Sequence, residues 1–442
     1  MSSVLPKSID YREIPNSLSS DIYSTTQILN PVNSKATYTS NDIINFDFNS
    51  GNRGFIDPKS IYISYKAAGV CGATAGGIYG VPVYAPFLKV ETIINGQTIE
   101  TVNQYNQVTY MFVNCNTDVA GKAACQYAYG YTTGGIADAN DASMQAWDGR
   151  LVAAAANPDL YTVSAPLICN ILTGCEKLIP SFLLPSIRMA FTIDQLANFT
   201  TNGTVANSIT GFTISNIQIT YQLIDFGEEV QNMIASMPKF FIKSTGWNNS
   251  CVSIPTGTSG SQSIVFNQRF ASIRNVNILG CGTNSYNCNF DFIDITNGGT
   301  YQISIGGHVF PQLALNCTNN KAAILQELRK CQGELYDEAN AMSINTWEFS
   351  YTDTTCNNSV AAATVAITLS QPGKFIVGID CCKLGSGSTA NLLNGTSSQN
   401  SPINVLLNIL TATLATKNLN LVIRYDALLE IDPETRMLSA KV

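Results

Sequence analysis

The chain has 442 residues, of which 45% are hydrophobic and only 12% charged, against roughly 25% charged in an average globular protein. A net charge of −7 with no basic tract excludes nucleic-acid binding through a basic face. No run approaches the ~18 uninterrupted apolar residues of a spanning helix, and the start Met1-Ser2-Ser3-Val4 has no charged segment before an apolar one, so no secretory signal is expected.

Residues 1–35 are polar and without clear periodicity, and read as an extended N-terminal arm, which in an assembling protein can order on contact with neighbours and in a monomer would fray. Residues 43–48 (Ile-Ile-Asn-Phe-Asp-Phe) predict a strand, residues 49–54 a turn, and residues 60–65 a second strand. Residues 88–94 and 97–102 flank Asn95-Gly96, the strongest short hairpin signal, and residues 103–113 are mildly amphipathic and predict a helix. Residues 114–157, rich in Gly, Ala, Thr and Asp, read as a long loop excursion. Strands are expected at 160–169 and 186–193, and a closing strand over 217–223, where Ile217, Ile219, Tyr221 and Leu223 alternate with polar residues. Asp225-Phe226-Gly227 stops that alternation, and residues 228–238 predict a short helical link with Glu228 and Glu229 at its start.

The same rhythm then repeats. Strands are expected at 240–242, 263–266, 273–279, 290–295 and 301–305. Gly306-Gly307 forms a second hairpin with residues 308–313, and a clear helical pattern runs over 321–339 with Ile324, Leu325, Leu328, Leu335 and Tyr336. Further strands are expected at 343–351, 362–369, 374–379 and 403–414, around a Gly/Ser/Asn loop near 385–401. A final strand carries Leu419, Leu421, Ile423 and Tyr425, and aligning Tyr221 with Tyr425 gives an offset of 204 residues. The chain therefore reads as all-β, with two consecutive eight-stranded jelly-roll β-sandwiches and short helices in their connections. The boundaries are 1–35 for the arm, 36–227 for the first roll, 228–238 for the link, 239–432 for the second roll and 433–442 for a C-terminal tail.

Candidate chemistry is thin. Asp225-Phe226-Gly227 lacks the companion motifs of a kinase and reads as a strand end. His308 is the only histidine, so any Ser-His or Cys-His mechanism must use it, yet it follows a hairpin turn with no nucleophile pattern nearby. Gly257 to Gly260 lacks the Lys-Ser/Thr of a phosphate loop. The Glu228-Glu229 pair reads as exposed cap residues rather than a glycosidase pair. None of the thirteen cysteines stands in a Cys-x-x-Cys pair, so metal binding is not expected and the thiols read as small buried hydrophobes. Cys381-Cys382 point to opposite faces of a strand. Six Asn-x-Ser/Thr sequons, at 198, 202, 248, 316, 357 and 394, read as a by-product of Asn richness. No catalytic, cofactor-binding or metal residue is assigned. A surface poor in charge resists self-association weakly, which suits a protein that packs against its own copies, and it equally suits an ordinary all-β protein whose strands favour Thr and whose turns favour Asn.

Residues 51–63 (Gly-Asn-Arg-Gly-Phe-Ile-Asp-Pro-Lys-Ser-Ile-Tyr-Ile) resemble the N-terminal strand pair of double jelly-roll major capsid proteins, those of polinton-like viruses and virophages above all, with large eukaryotic DNA viruses further off. Ile93-Ile94-Asn95-Gly96 followed by Tyr105-Asn106 resembles that family's first roll, and the Gly306-Gly307 hairpin with its helix resembles the second. The resemblance runs from about residue 40 to 432 and rests on order, spacing and two-fold repetition. It implies a structural, non-enzymatic protein of the virion, made and assembled inside the host cell. Three chains would form a pseudo-hexameric capsomer that tiles an icosahedral shell, with lateral contacts to other trimers. Penton and minor capsid proteins and an internal membrane are the further partners it implies, and residues 114–157 and 385–401 become candidates for outer towers. The competing readings are a carbohydrate-binding or adhesin β-sandwich, for which Trp147 and Trp247 are the loop-placed aromatics, and a hydrolase built around His308 or a carboxylate pair.

Overall fold

The computed structural model describes residues 22–49, 54–72, 76–131, 149–152, 157–184, 186–200, 209–281, 289–333, 342–344, 346–349, 359–361, 368–370, 373–383, 393–435 and 437–441. Eight strands build the first sandwich: β1 (Tyr23–Leu29), β2 (Ile43–Asn49), β3 (Tyr62–Cys71), β4 (Phe87–Ile94), β5 (Gln97–Asn103), β6 (Asp159–Pro166), β7 (Ser186–Ile193) and β8 (Ile209–Asp225). They pair as two antiparallel sheets, β1-β8-β3-β6 and β2-β7-β4-β5. Eight more build the second: β9 (Phe240–Ile254), β10 (Gly260–Phe266), β11 (Ile273–Cys281), β12 (Thr300–Ile305), β13 (His308–Asn316), β14 (Ile376–Asp380), β15 (Ile403–Ile409) and β16 (Lys417–Asp432). Their sheets are β9-β16-β11-β14 and β10-β15-β12-β13. Adding eight to every label of the first roll reproduces the second, so the chain is a double jelly roll.

The period-2 pattern explains the pairing. In β8, Ile217, Ile219 and Tyr221 turn inward and are nearly inaccessible, as are Leu421, Ile423 and Tyr425 of β16. Both hairpins carry left-handed backbone at both central positions, Asn95 and Gly96 at φ 52° and 75° and Gly306 and Gly307 at 60° and 82°. That geometry suits a two-residue turn between twisted strands. After each hairpin comes a helix, α1 (Tyr105–Asn116) in the first roll and a counterpart (Lys321–Gln332) in the second. The second ends at Gly333, and residues 334–339 of the expected helix lie outside the described residues.

Several expectations need correction. Residues 23–29, read as part of an arm, form β1 and pair along β8 from Tyr23–Asp225 to Leu29–Ile219. The end of the chain, read as a tail, adds a strand β17 (Met437–Lys441) beside β16. Residues 290–295 are not a strand but a turn anchored by Asp294, whose carboxylate accepts from the Thr296 and Gly298 amides and from the Tyr301 hydroxyl. Apolar Phe290, Phe292 and Ile293 are buried there, and Phe292 makes only isolated bridges to Cys281 and Lys374 in place of a continuous ladder. Within residues 343–351, residues 346–349 are helical, and the strand expected at 362–369 is described only at its end, in Thr368–Ser370.

Candidate assembly surfaces

The first surface lies inside the chain, where β5 of the first roll meets β9 of the second. Trp247 is on β9 and is 4% exposed, with Phe112 of α1 edge-on at 5.7 Å between centroids. It is therefore a core residue, not a loop aromatic, and offers nothing to a glycan. Covering an aromatic of this size contributes roughly 4–6 kcal/mol by area.

Glu100 on β5 reaches across the same seam. Its carboxylate accepts from the backbone N–H of Trp247 at 2.8 Å and of Ile171 at 2.7 Å. Burial pushes its pKa up to about 8, against the pull of those two amides. Around it the seam is polar and densely paired. Asn249 donates to Asn103 and Gln104, Asn420 donates to Gln107, and Gln107 donates to the Asn289 carbonyl. Ser244 donates to the Ile171 carbonyl, Thr245 N–H to Gly174, and Glu176 N–H to Lys243. Tyr110 of α1 packs on Phe290 and Phe292. Side-chain bonds of this number fix one relative placement of two otherwise apolar sandwiches.

The second surface is what the repeat leaves uncovered. Tyr221 pairs with Gln27, and Tyr425 with Gly246. Under the 204-residue offset Ile28 of β1 therefore stands where Trp247 stands on β9. Trp247 is buried, yet Ile28 is 58% exposed and Tyr62, in the same cross-strand row through Thr220, is 37% exposed. The edge strands repeat the contrast. β5 ends one sheet and is covered by β9, whereas β13 ends the equivalent sheet with Leu313 85% exposed. Both edges bulge shortly after their turn: at Ile99 in β5, and over residues 311–314 in β13.

The residues considered for chemistry do not converge. His308 is exposed at the start of β13. Asp225 accepts from Gly227 N–H and from Gln231, so it caps the link, and Phe226 packs on Phe55. Glu228 and Glu229 begin the link helix Glu228–Ala235. Gly257 and Gly260 sit at positive φ around a turn before β10. No group of three or more potential metal ligands occurs among the described residues. Trp147 and the parts of the tower candidates at residues 132–148, 153–156 and 385–392 lie outside the described residues, and the rest of 114–157 is not simply the loop expected there, since Val119–Ala124 and Gln126–Tyr129 are helical and Gly149–Val152 is a short strand.

Eleven described cysteines are free thiols, most of them buried, with burial raising the pKa at each of Cys115, Cys169, Cys175, Cys281 and Cys331. Cys251 is the exposed one among them, and although partial burial raises its pKa too, its accessibility sets it apart. Brief alkylation of the native protein should therefore modify Cys251 well before Cys115, Cys169 or Cys331, as peptide mass spectrometry reads it. Comparable rates at all four would contradict this packing.

No protein-family model and no curated protein matches the sequence. Solved structures do. The PBCV-1 capsid protein VP54, fitted into a reconstruction of the virophage Sputnik, superposes with a TM-score of 0.59 at 11% identity, over 96% of this chain and 97% of that one. The Faustovirus major capsid protein gives 0.57 at 10% identity over 94% and 93%, and the mavirus major capsid protein 0.56 at 12% over 100% and 96%. At such identities the likeness establishes the fold alone, and the architecture of the described residues is that of the double jelly-roll capsid proteins.

Proposed function

We propose that this chain is a viral major capsid protein, a structural component of the virion, that closes into a homotrimer of six upright sandwiches. The observation that carries this is the unequal covering of a repeated surface. Inside the chain, edge β5 docks on the outer face of β9. The repeat-equivalent pair, edge β13 and the face carrying Ile28 and Tyr62, is left open on opposite rolls. A contact between β13 of one copy and β1 of the next is heterologous, and such contacts close into rings when the rotation allows. If the contact repeats the internal one, each step turns by about the same angle, and a step of about 60° would close two rolls per chain as three chains. The first roll would then run from residue 23 to 227 and the second from 239 to 441, joined by the link at 228–238.

Trimers tiling an icosahedral shell, with penton and minor capsid proteins at its special positions, follow from the same reading, as does assembly inside the host cell. An adhesin role loses its best aromatic, since Trp247 is sealed between the rolls. Light scattering should return three times the chain mass of 47.6 kDa, with hexagonal outlines in negative stain. Ile28→Asp and Leu313→Asp should each leave a folded monomer, because a charge in a closed apolar contact costs several kcal/mol while the same charge in water costs almost nothing. A wild-type protein that stays monomeric at high concentration defeats the proposal, as do trimers untouched by both substitutions.

A further inference from the structure

Between the two rolls lies a cleft of about 440 Å³ that the assembly reading does not use. One wall is first-roll chain: Lys59 in the 3-10 turn Pro58–Ser60, and the loop through Asn170, Gly174 and Glu176. The other wall is the outer face of the second roll, with Thr245, Trp247, Arg274 and Arg424. Three cations thus face one acid. That acid, Glu176, already lies 3.6 Å from Lys243. The carboxylate nearest the guanidinium pair is Asp426, which takes the Ser272 hydroxyl on one oxygen and stands 3.9 Å from Arg274 Nε with the other.

Arg424 is the least compensated of the three. Its guanidinium lies over the Trp247 ring at 5.6 Å, and its buried Nε has no acceptor among the described residues. Burial and the Arg274 charge lower its pKa, and the nearby Asp426 offsets them only in part, so the neighbourhood disfavours a second positive charge. A buried donor without an acceptor, and a buried charge without a partner, each cost free energy that a bound anion would return. The chain as a whole is acidic, with 24 basic residues against 31 acidic ones, so a cleft with this excess of cations is not a sample of its average surface.

We infer that this cleft is a binding site for a small tetrahedral oxyanion of the phosphate type, held by Arg424, Arg274 and Lys59. Cations approach from two walls and at three points. A tetrahedral dianion meets all three, whereas a planar carboxylate meets two at a time. Filling it would tie the first roll's Lys59 turn to the second roll through the ion.

The test is thermal unfolding of the purified full-length protein in chloride buffer of fixed ionic strength, titrated with inorganic phosphate in exchange for chloride. The expected result is a saturable upward shift in Tm of about 2 °C or more, and a smaller one with acetate. Arg274→Ala, at a partly exposed position, should lose the phosphate response, and so should Arg424→Met, which keeps the stem over Trp247. No saturable shift in the wild type overturns the site. An undiminished shift in Arg274→Ala overturns it too, and that variant decides the matter should Arg424→Met fail to fold. An acetate response equal to that of phosphate overturns the tetrahedral assignment.

Discussion

Gly174→Ala should destabilise the protein by about 2–4 kcal/mol and uncouple the two rolls. A Cβ built at this glycine falls 2.2 Å from the Thr245 carbonyl oxygen, 2.8 Å from its nitrogen and 3.0 Å from the Ser244 hydroxyl. Two of these are backbone atoms of β9, a strand paired along its whole length with β16, so the neighbour cannot give way cheaply. The loop would have to retreat instead. Retreat stretches the bonds that tie it to β9: Thr245 N–H to Gly174 at 3.3 Å, Glu176 N–H to Lys243 at 3.1 Å, and the Ser244 bond to Ile171. The Glu100 carboxylate, which depends on Ile171 N–H, is drawn into the same movement. Gly174 has no left-handed φ, so backbone strain adds nothing and the cost reports the seam alone. Gly257→Ala is the complementary control, with φ +83° and no atom within 4 Å of the added methyl. Guanidinium unfolding followed by tryptophan fluorescence, with Trp247 at the seam, measures both. We expect a single transition in the wild type and two in Gly174→Ala. A Gly174→Ala curve that overlays the wild type would mean that the seam is soft and that the rolls are not locked by it.

What the sequence disclosed and what it hid divide along the same seam. Local chemistry was legible. Asn95-Gly96 and Gly306-Gly307 require left-handed backbone and announce both hairpins, and the alternation in β8 and β16 gives away the closing strands together with their 204-residue offset. β1 escaped because its outward side has no cover within the chain. Ile28 stays exposed on that side, Tyr23 stays exposed on the opposite face at the strand's start, and Ser24, Thr25, Thr26 and Gln27 fill the rest, so no hydrophobic face shows against a polar one. Residues 290–295 misled for the opposite reason, since apolar side chains packed under an aspartate-anchored turn look like a strand at short range. The seam itself had no signal. Glu100 sits in a strand where a carboxylate reads as a solvent position, and Trp247 between Gly246 and Asn248 reads as a loop. Both are buried by chain that is distant in sequence, Glu100 by Ile171 and Trp247, and Trp247 by Phe112, and periodicity carries no trace of such an encounter. The cleft with Arg274 and Arg424 is hidden likewise, because its cations are recruited from both rolls.

Glu100 is also the residue through which the seam should feel pH. Its folded-state pKa is pushed up to about 8 by burial, while in an unfolded chain a glutamate titrates near its ordinary value of 4.5. A raised carboxylate binds a proton on folding throughout that window. Stability should therefore be greatest at the acid end, fall as pH rises from about 4.5 towards 8, and level off above, with a total change on the order of 5 kcal/mol from this group. Asp194, which burial also raises, contributes with the same sign, so the Glu100 contribution is isolated as a difference between proteins. Glu100→Gln supplies that difference. Glutamine keeps the shape but presents one acceptor where Trp247 and Ile171 bring two N–H donors, so at pH 5 the variant should be less stable than the wild type by about 1–3 kcal/mol. It cannot ionise, so the desolvation cost that grows in the wild type with rising pH is absent from it. With a lost hydrogen bond and a desolvation cost of these sizes, the two stability curves should converge and cross between about pH 6 and 7.5, with the variant the more stable above the crossing. Urea unfolding at five or six pH values draws both. Parallel curves would mean that Glu100 is ionised in the folded protein across the range, its two amides outweighing its burial. In that case the seam is held by a buried carboxylate anion and not by a neutral acid.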